Sequence, residues 1–263
     1  MGILNATPDS FSDGGKFDVL GNALHHAERM RDEGVNIIDV GGESTRPGAQ
    51  AVSESEELDR VIPVIERLTQ ELDIPVSIDT SKAGVMTEAV NVGASLINDV
   101  CALQLDGALD IAAKANVPVC LMHMQGEPRS MQADPQYDDV LQDVKQFLAD
   151  RMSACAAAGI GDDQIMIDPG FGFGKTVKHN LALLKDLNQL SDLAVPILAG
   201  LSRKSFIGKL LGLPVGERVH ASVALALIAV QNGARVVRVH DVAETVQAIR
   251  MWEAVKTGEA TAL

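Results

Sequence analysis

The chain has 263 residues, 46% apolar and 22% charged, enough to bury a full core without disulfide or metal staples and too ordinary a mix for a disordered segment. With 22 basic against 36 acidic residues the net charge is −14, and one Trp, one Tyr and six Phe offer few stacking surfaces, so nucleic acid and anionic membranes are excluded as partners. Cys101, Cys120 and Cys155 form no paired framework, and neither a signal-peptide pattern nor an apolar run long enough for a bilayer is visible, so a soluble, cytoplasmic protein is expected.

In chain order, short Val- and Ile-rich runs alternate with longer segments of helical period. Strands are predicted at 2–5, 37–40, 76–79, 96–98, 117–123, 165–168, 197–199 and 236–239, and helices at 20–33, 54–72, 83–92, 107–115, 138–158, 176–190, 216–232 and 242–256. The fifth helix has the clearest stripe, Val140, Leu141, Val144, Phe147, Leu148 and Met152. Gly34, Gly93, Gly159 and Gly233 stand where helices should stop, and Pro63 should kink the second helix or lie in its early turns. The strands read as continuous apolar runs, as parallel strands covered on both faces do. Eight strand–helix units in one uninterrupted series predict an α/β fold, a (β/α)8 TIM barrel forming a single domain over 1–263.

Polar residues gather at the C-terminal strand ends. They are Asn5, the turn Gly41-Gly42-Glu43-Ser44-Thr45-Arg46, Asp79, Asn98-Asp99, His123, Asp168, Ser202-Arg203-Lys204-Ser205, and Arg238 with His240. In a barrel these ends meet at one mouth, where active sites of this fold lie. Burying such groups is costly without partners or a ligand. The alternative is that some only cap the next helix, as Asp79 or Ser81 could before Ala83. Three long Gly- and Pro-rich loops, 7–15, 41–51 and 125–135, are expected over the mouth as lids.

Several patterns lead elsewhere and fail. The run from Gly170 to Thr176 resembles a phosphate loop, but Pro169 stands where that loop needs Gly. No His/Asp/Glu cluster has metal-ligand spacing, so a dedicated zinc site is not expected, and His123 between Met122 and Met124 reads as a pocket wall. Ser202 and Ser205 lack a nucleophile elbow. Lys204 could form a Schiff base or bind an anion or carbonyl oxygen; its Ser neighbours and the helix start behind it favour binding.

Taken together the motifs resemble a known family. The stretch from Gly2 through Asn5, Thr7-Pro8-Asp9-Ser10-Phe11-Ser12-Asp13 to Gly15 resembles one signature of the dihydropteroate synthases, and Gly41 to Gly48 resembles the other. Ser77-Ile78-Asp79-Thr80, Ile97-Asn98-Asp99, the run Asp168 to Lys175, Ser202-Arg203-Lys204-Ser205 and Arg238-Val239-His240-Asp241 fit the same family in the same order.

That resemblance implies attack of the p-aminobenzoate amine on the methylene carbon of 6-hydroxymethyl-7,8-dihydropterin diphosphate, giving 7,8-dihydropteroate and pyrophosphate. By the same resemblance Asp168 takes paired pterin donors, Asp79 and Asn98 other ring nitrogens, and Lys204 and the Gly200 backbone the pterin oxygen side, with Met122 and Phe173 as walls and Arg238 stacked above. Asn5, Thr45, Arg46, Arg238 and His240 form the diphosphate pocket, Asn5 also holding Mg²⁺. Phe11, Pro47, Lys204 and Ser205 receive p-aminobenzoate. Asp13, Asp79, Lys204 and Arg238 carry the catalytic task of stabilising a cationic transition state. A homodimer through the helices at 216–232 and 242–256 is implied. The family usually has an extension before the first strand, which here opens at Gly2, so a more exposed barrel bottom is expected. Two other readings stay open: a pterin-dependent corrinoid methyltransferase barrel and a non-catalytic pterin-binding protein.

Overall fold

Each of the eight apolar runs becomes a parallel strand: β1 (Gly2–Asn5), β2 (Ile38–Gly41), β3 (Val76–Asp79), β4 (Leu96–Asp99), β5 (Val119–Met122), β6 (Ile165–Asp168), β7 (Leu198–Ala199) and β8 (Val236–Val237). The computed structural model describes residues 1–6, 16–44, 51–126 and 131–258, of which 16–19 are described by backbone alone. Strands β1 to β6 pair in sequence order, with β7 and β8 paired to one another. Bridges Ile167↔Ile197 and Gly2↔Val239 join the two sheets at both seams, closing the ring into the barrel. At the second seam Ile3 donates to the Val239 carbonyl and Val239 to that of Met1, each at 3.0 Å.

The period of two along each strand sorts the side chains. Ile38, Val40, Ile78, Ile97, Leu121 and Ile167 are fully buried in the layer between strands and helices. Each stabilises the fold by roughly 1.5–3 kcal/mol. Alternate residues face inward: Met1, Cys120, Met166 and Leu198 form a separate apolar plug inside the barrel. Above it lie Asp39, Ser77, Asp79, Asn98, Met122 and Asp168, so the interior turns polar toward the mouth.

Helices α1 (Lys16–Asp32), α2 (Glu54–Glu71), α3 (Ala83–Asn91), α4 (Ala108–Ala115), α5 (Val140–Ala157), α6 (Val177–Lys185), α7 (Ser205–Leu211), α8 (Val219–Gln231) and α9 (Val242–Thr257) surround the strands. Gly34, Gly93, Gly159 and Gly233 end their helices with φ of 92°, 108°, 94° and 102°. Pro63 lies inside α2 on an exposed face, where the carbonyl it leaves unbonded reaches water. Of the α5 stripe Val140, Leu141, Val144 and Leu148 are buried and Phe147 and Met152 half-buried against the core, with Asp139 capping the Leu141 and Gln142 amides at 3.0 and 3.2 Å.

Several boundaries differ from expectation: β5 keeps only Val119–Met122 of 117–123, α1 opens at Lys16 rather than at 20, and α8 opens at Val219 rather than at 216. The helix predicted over 176–190 stops at Lys185, because Asn232, just past the end of α8, donates to the Leu184 carbonyl at 2.8 Å. The chain continues as a 3-10 turn, Leu187–Leu193, whose buried Leu187 and Leu190 fit the eclipsed i, i+3 geometry of that turn. The segment after β7, expected only to begin a helix, forms the complete short helix α7. Strands β7 and β8 are two residues each rather than three and four, since Arg238 and Val239 turn their amides to Ala199 and Met1 respectively.

Candidate active site

The mouth is built around Arg238, which leaves β8 into the barrel. Its Nε donates to Asp39 Oδ2 and its Nη2 to Asp79 Oδ2, both at 2.6 Å. Asn98 Nδ2 donates to the same Asp39 oxygen at 3.1 Å. Burial works against the Arg238 charge, yet Asp39 and Asp79 outweigh it and hold its pKa above the ordinary value. The Asp79 carboxyl is pushed above the usual carboxylate range by burial, with Arg238 pulling it down and Asp39 adding a like charge.

Across the barrel Asp168 is buried at the end of β6. Its Oδ1 accepts the Gly170 amide at 2.7 Å, and its pKa is raised by burial against the pull of that amide and of Lys204. Gly200 leaves the other oxygen approachable: a Cβ there would sit 3.8 Å from Asp168 Oδ2. Lys204 Nζ lies 4.1 Å above the Phe173 ring, and burial lowers its pKa to about 8, with Asp168 opposing. Met122, Met131 and Phe173 form an apolar wall with Val100 and Met124 against it. Cationic, anionic and flat apolar surfaces thus converge on one opening. Such a site can hold a planar, donor-rich ring and an attached anion.

At the rim His240 and Ser202 are tied by two contacts, Ser202 Oγ to His240 Nδ1 at 2.9 Å and the His240 amide to Ser202 Oγ at 3.1 Å. Arg203, a non-glycine residue at φ 56°, is held by Asp241 and by Ser222 Oγ, which fixes the turn that delivers Lys204 and the exposed Ser205. At the base of the second loop Lys82 bonds both Glu43 and the buried Glu57 while Arg60 donates to the Gly42 carbonyl at 2.7 Å. Neither Asp79 nor Ser81 caps α3: Asp79 serves Arg238 and Ser81 donates to Asp99.

Of the expected site residues, Asn5, Asp79, Asn98, Met122, Asp168, Phe173, Gly200, Lys204, Arg238 and His240 stand at strand ends or on the loops leaving them, and Ser205 opens α7. Phe11, Asp13, Thr45, Arg46 and Pro47 lie outside the described residues, with most of the first two long loops. Asp39 and Lys175 stand outside the expected set. A charged residue inside the run Ile37-Ile38-Asp39-Val40 was the available signal for the first, and a lone lysine closing a glycine run was the signal for the second. His123, expected as a pocket wall, turns Nδ1 to Lys175 at 2.9 Å and its ring edge-on to Phe147. Among the described residues no group of three or more His, Cys, Asp or Glu could hold a metal. Asn5, half-buried at the end of β1, offers a single neutral carboxamide oxygen. That donor fits a Mg²⁺ ion whose remaining ligands are phosphate oxygens and water.

Comparison with known proteins agrees with this geometry. The model of the family described as "Pterin binding enzyme" matches residues 1–240. The dihydropteroate synthase of Haemophilus influenzae is 56% identical over 254 residues, covering 97% of this chain and 92% of that protein. The Yersinia pestis dihydropteroate synthase, solved with a sulfonamide drug complex, superposes with a TM-score of 0.94 at 54% identity, covering 98% of this chain and 94% of that one. The Xanthomonas albilineans dihydropteroate synthase in complex with 7,8-dihydropteroate gives a TM-score of 0.89 at 49% identity, covering 100% and 94%. With more than half of its residues shared along nearly the whole of the Haemophilus protein, the chain belongs to the dihydropteroate synthase family of pterin-binding enzymes.

Proposed function

We propose that the barrel mouth joins p-aminobenzoate to 6-hydroxymethyl-7,8-dihydropterin diphosphate, a transferase reaction that releases pyrophosphate and forms 7,8-dihydropteroate. The carrying observation is the pairing of two carboxylates, the buried Asp168 and the partly buried Asp79, with two partly buried cations, Arg238 and Lys204, around one apolar wall. Asp168 accepts the adjacent amino and ring N–H donors of the pterin, while Asp79 and Asn98 meet the ring nitrogens on the other edge. Met122 and Phe173 hold the ring flat, and Lys204 reaches its oxygen with the Gly200 backbone beside it. Arg238, His240 and Asn5 face the diphosphate with Thr45 and Arg46. Mg²⁺ held at Asn5 supplies charge neutralisation to the phosphate oxygens.

In the reaction the bond from the methylene carbon to the diphosphate oxygen breaks and its electron pair leaves with pyrophosphate. The arylamine lone pair forms the new C–N bond, and the ammonium proton so created passes to water. Positive charge grows on the methylene and ring as pyrophosphate departs, and we assign its stabilisation to Asp79 and Asp13. An arylamine is a free base at neutral pH, so no general base is required. The p-aminobenzoate carboxylate is assigned to Ser205 and its ring to Phe11, Pro47 and the Lys204 stem. Sulfonamides, which mimic that substrate, compete there.

Ile228 on α8 and Met251 and Val255 on α9 are large apolar side chains left exposed, which supports a homodimer through these two helices. The free thiols of Cys101, Cys120 and Cys155 suit a reducing compartment, the cytoplasm. Mixing the pterin diphosphate with p-aminobenzoate and Mg²⁺ and following pyrophosphate tests the reading. Stoichiometric release with dihydropteroate is expected; binding of the pterin without release would leave only a sequestering protein.

A further inference from the structure

The loop from β6 to α6 runs Asp168-Pro169-Gly170-Phe171-Gly172-Phe173-Gly174-Lys175 and carries two residues of the pterin pocket. It lies directly against the backbone that leaves β5. A Cβ on Gly170 would be 1.8 Å from the His123 carbonyl oxygen, and one on Gly174 would be 2.4 Å from that of Gln125. Both glycines, and Gly172 between them, have positive φ. Three flexible positions in five residues cannot hold a shape by themselves.

Lys175 supplies what the glycines lack. Its side chain turns back under the loop and is 3% exposed. Its Nζ donates to the Gly170 carbonyl at 2.9 Å, the Phe173 carbonyl at 3.0 Å and His123 Nδ1 at 2.9 Å, with the His123 carbonyl at 3.4 Å. An ammonium has three protons, and three acceptors within 3.0 Å use them all. Charge-assisted bonds of this kind are the strong ones, and a buried cation is tolerated only when so satisfied. The acceptors span both sides of the turn that aims Phe173, and the third anchors it to β5. Burial lowers the Lys175 pKa to about 7, with Asp168 opposing, and Lys175 in turn favours the Asp168 carboxylate as Lys204 does. Every Nζ proton is spent on protein, so the lysine does not touch substrate.

We propose that Lys175 is a positioning residue of the pterin subsite: a buried lysine, caged by loop carbonyls and His123, that sets Phe173 and Asp168 for the ring. It rests on the reading of the mouth as a pterin site. Lys175→Met removes the cage's centre without adding bulk. Steady-state kinetics with each substrate varied in turn should then show the KM for the pterin diphosphate raised about tenfold or more, with that for p-aminobenzoate changed by less than about twofold. Titration of a pterin alone, followed by fluorescence, should weaken in parallel. If both KM values and the pterin affinity match those of the parent enzyme, or both KM values rise together, the proposal is overturned. Should Lys175→Met fail to fold, Lys175→Gln, which keeps a donor but no charge, is held to the same split. Failure of the parent enzyme to release pyrophosphate would sink the functional reading; the pterin titration would still decide the role of Lys175.

Discussion

Burial disfavours a charge on Asp168, and that conflict is the clue to its use. Its pKa is raised by burial, so the folded protein binds its proton more tightly than the unfolded chain does. The carboxylate therefore contributes stability below the ordinary Asp range and loses it as the pH rises through the folded value. At pH 7, Asp168→Asn should make the ligand-free protein more stable in urea, since the Asn oxygen can still accept the Gly170 amide. The same change should cut pterin affinity about tenfold to a hundredfold, because a donor replaces one of two acceptors facing paired donors. Calorimetric titration showing parental affinity would dismiss the assignment. Asp39 makes the opposite case: it is fully buried and holds Arg238 by Nε, so Asp39→Ala leaves a partly buried guanidinium with Asp79 as its one remaining carboxylate. A loss of about 3 kcal/mol in equilibrium unfolding is expected, and an unchanged midpoint would show that Asp79 alone suffices. Asp79 and Asp168 were legible because strand ends in a barrel share one mouth. Asp39 sits one layer lower, and its pairing with a residue 199 positions away is made only by closure of the ring.

The loop after β6 shows how an element can be fixed by atoms that carry no sequence signature. Its glycines looked like a failed phosphate loop, yet each serves close approach: Gly170 to the His123 carbonyl, Gly172 to the Lys204 stem, Gly174 to Gln125. Gly170→Ala meets both a φ of 68° and a carbonyl at 1.8 Å. It should cost more than about 2 kcal/mol and weaken pterin binding. Gly212→Ala, at φ 71° with nothing within 4 Å, isolates the backbone term; about 1 kcal/mol and an unchanged pterin KM are expected. Equal costs at the two positions would mean that the loop yields to the added methyl. Strand and helix order was legible from apolar period and helix-ending glycines. The stop of α6 was not, because Asn232, just past the end of α8, imposes it from 47 residues downstream of Lys185. Of helix α7 only the start was legible, because seven residues show too few turns for a period to register.

The molecule as a whole carries a net charge of −14 and takes two anionic substrates. The described mouth does not offset that field at long range, because its cations are already matched: Arg238 faces Asp39 and Asp79, and Lys204 and Lys175 face Asp168. An approaching pterin diphosphate therefore meets net repulsion until it is within a few ångströms of the donors that hold it. Screening separates the two regimes, since the Debye length falls from about 30 Å at 0.01 M salt to about 8 Å at 0.15 M. The first change removes far-field repulsion and leaves contacts at hydrogen-bond distance almost intact. kcat/KM for the pterin diphosphate, measured at fixed Mg²⁺, should rise about twofold or more over that range and decline only at higher salt, where the contacts themselves weaken. Cationic steering by the mouth would produce the reverse, a steady fall from the lowest salt. That outcome would place an unmatched positive charge at the entrance and assign capture of the diphosphate to it rather than to the ring of strand ends.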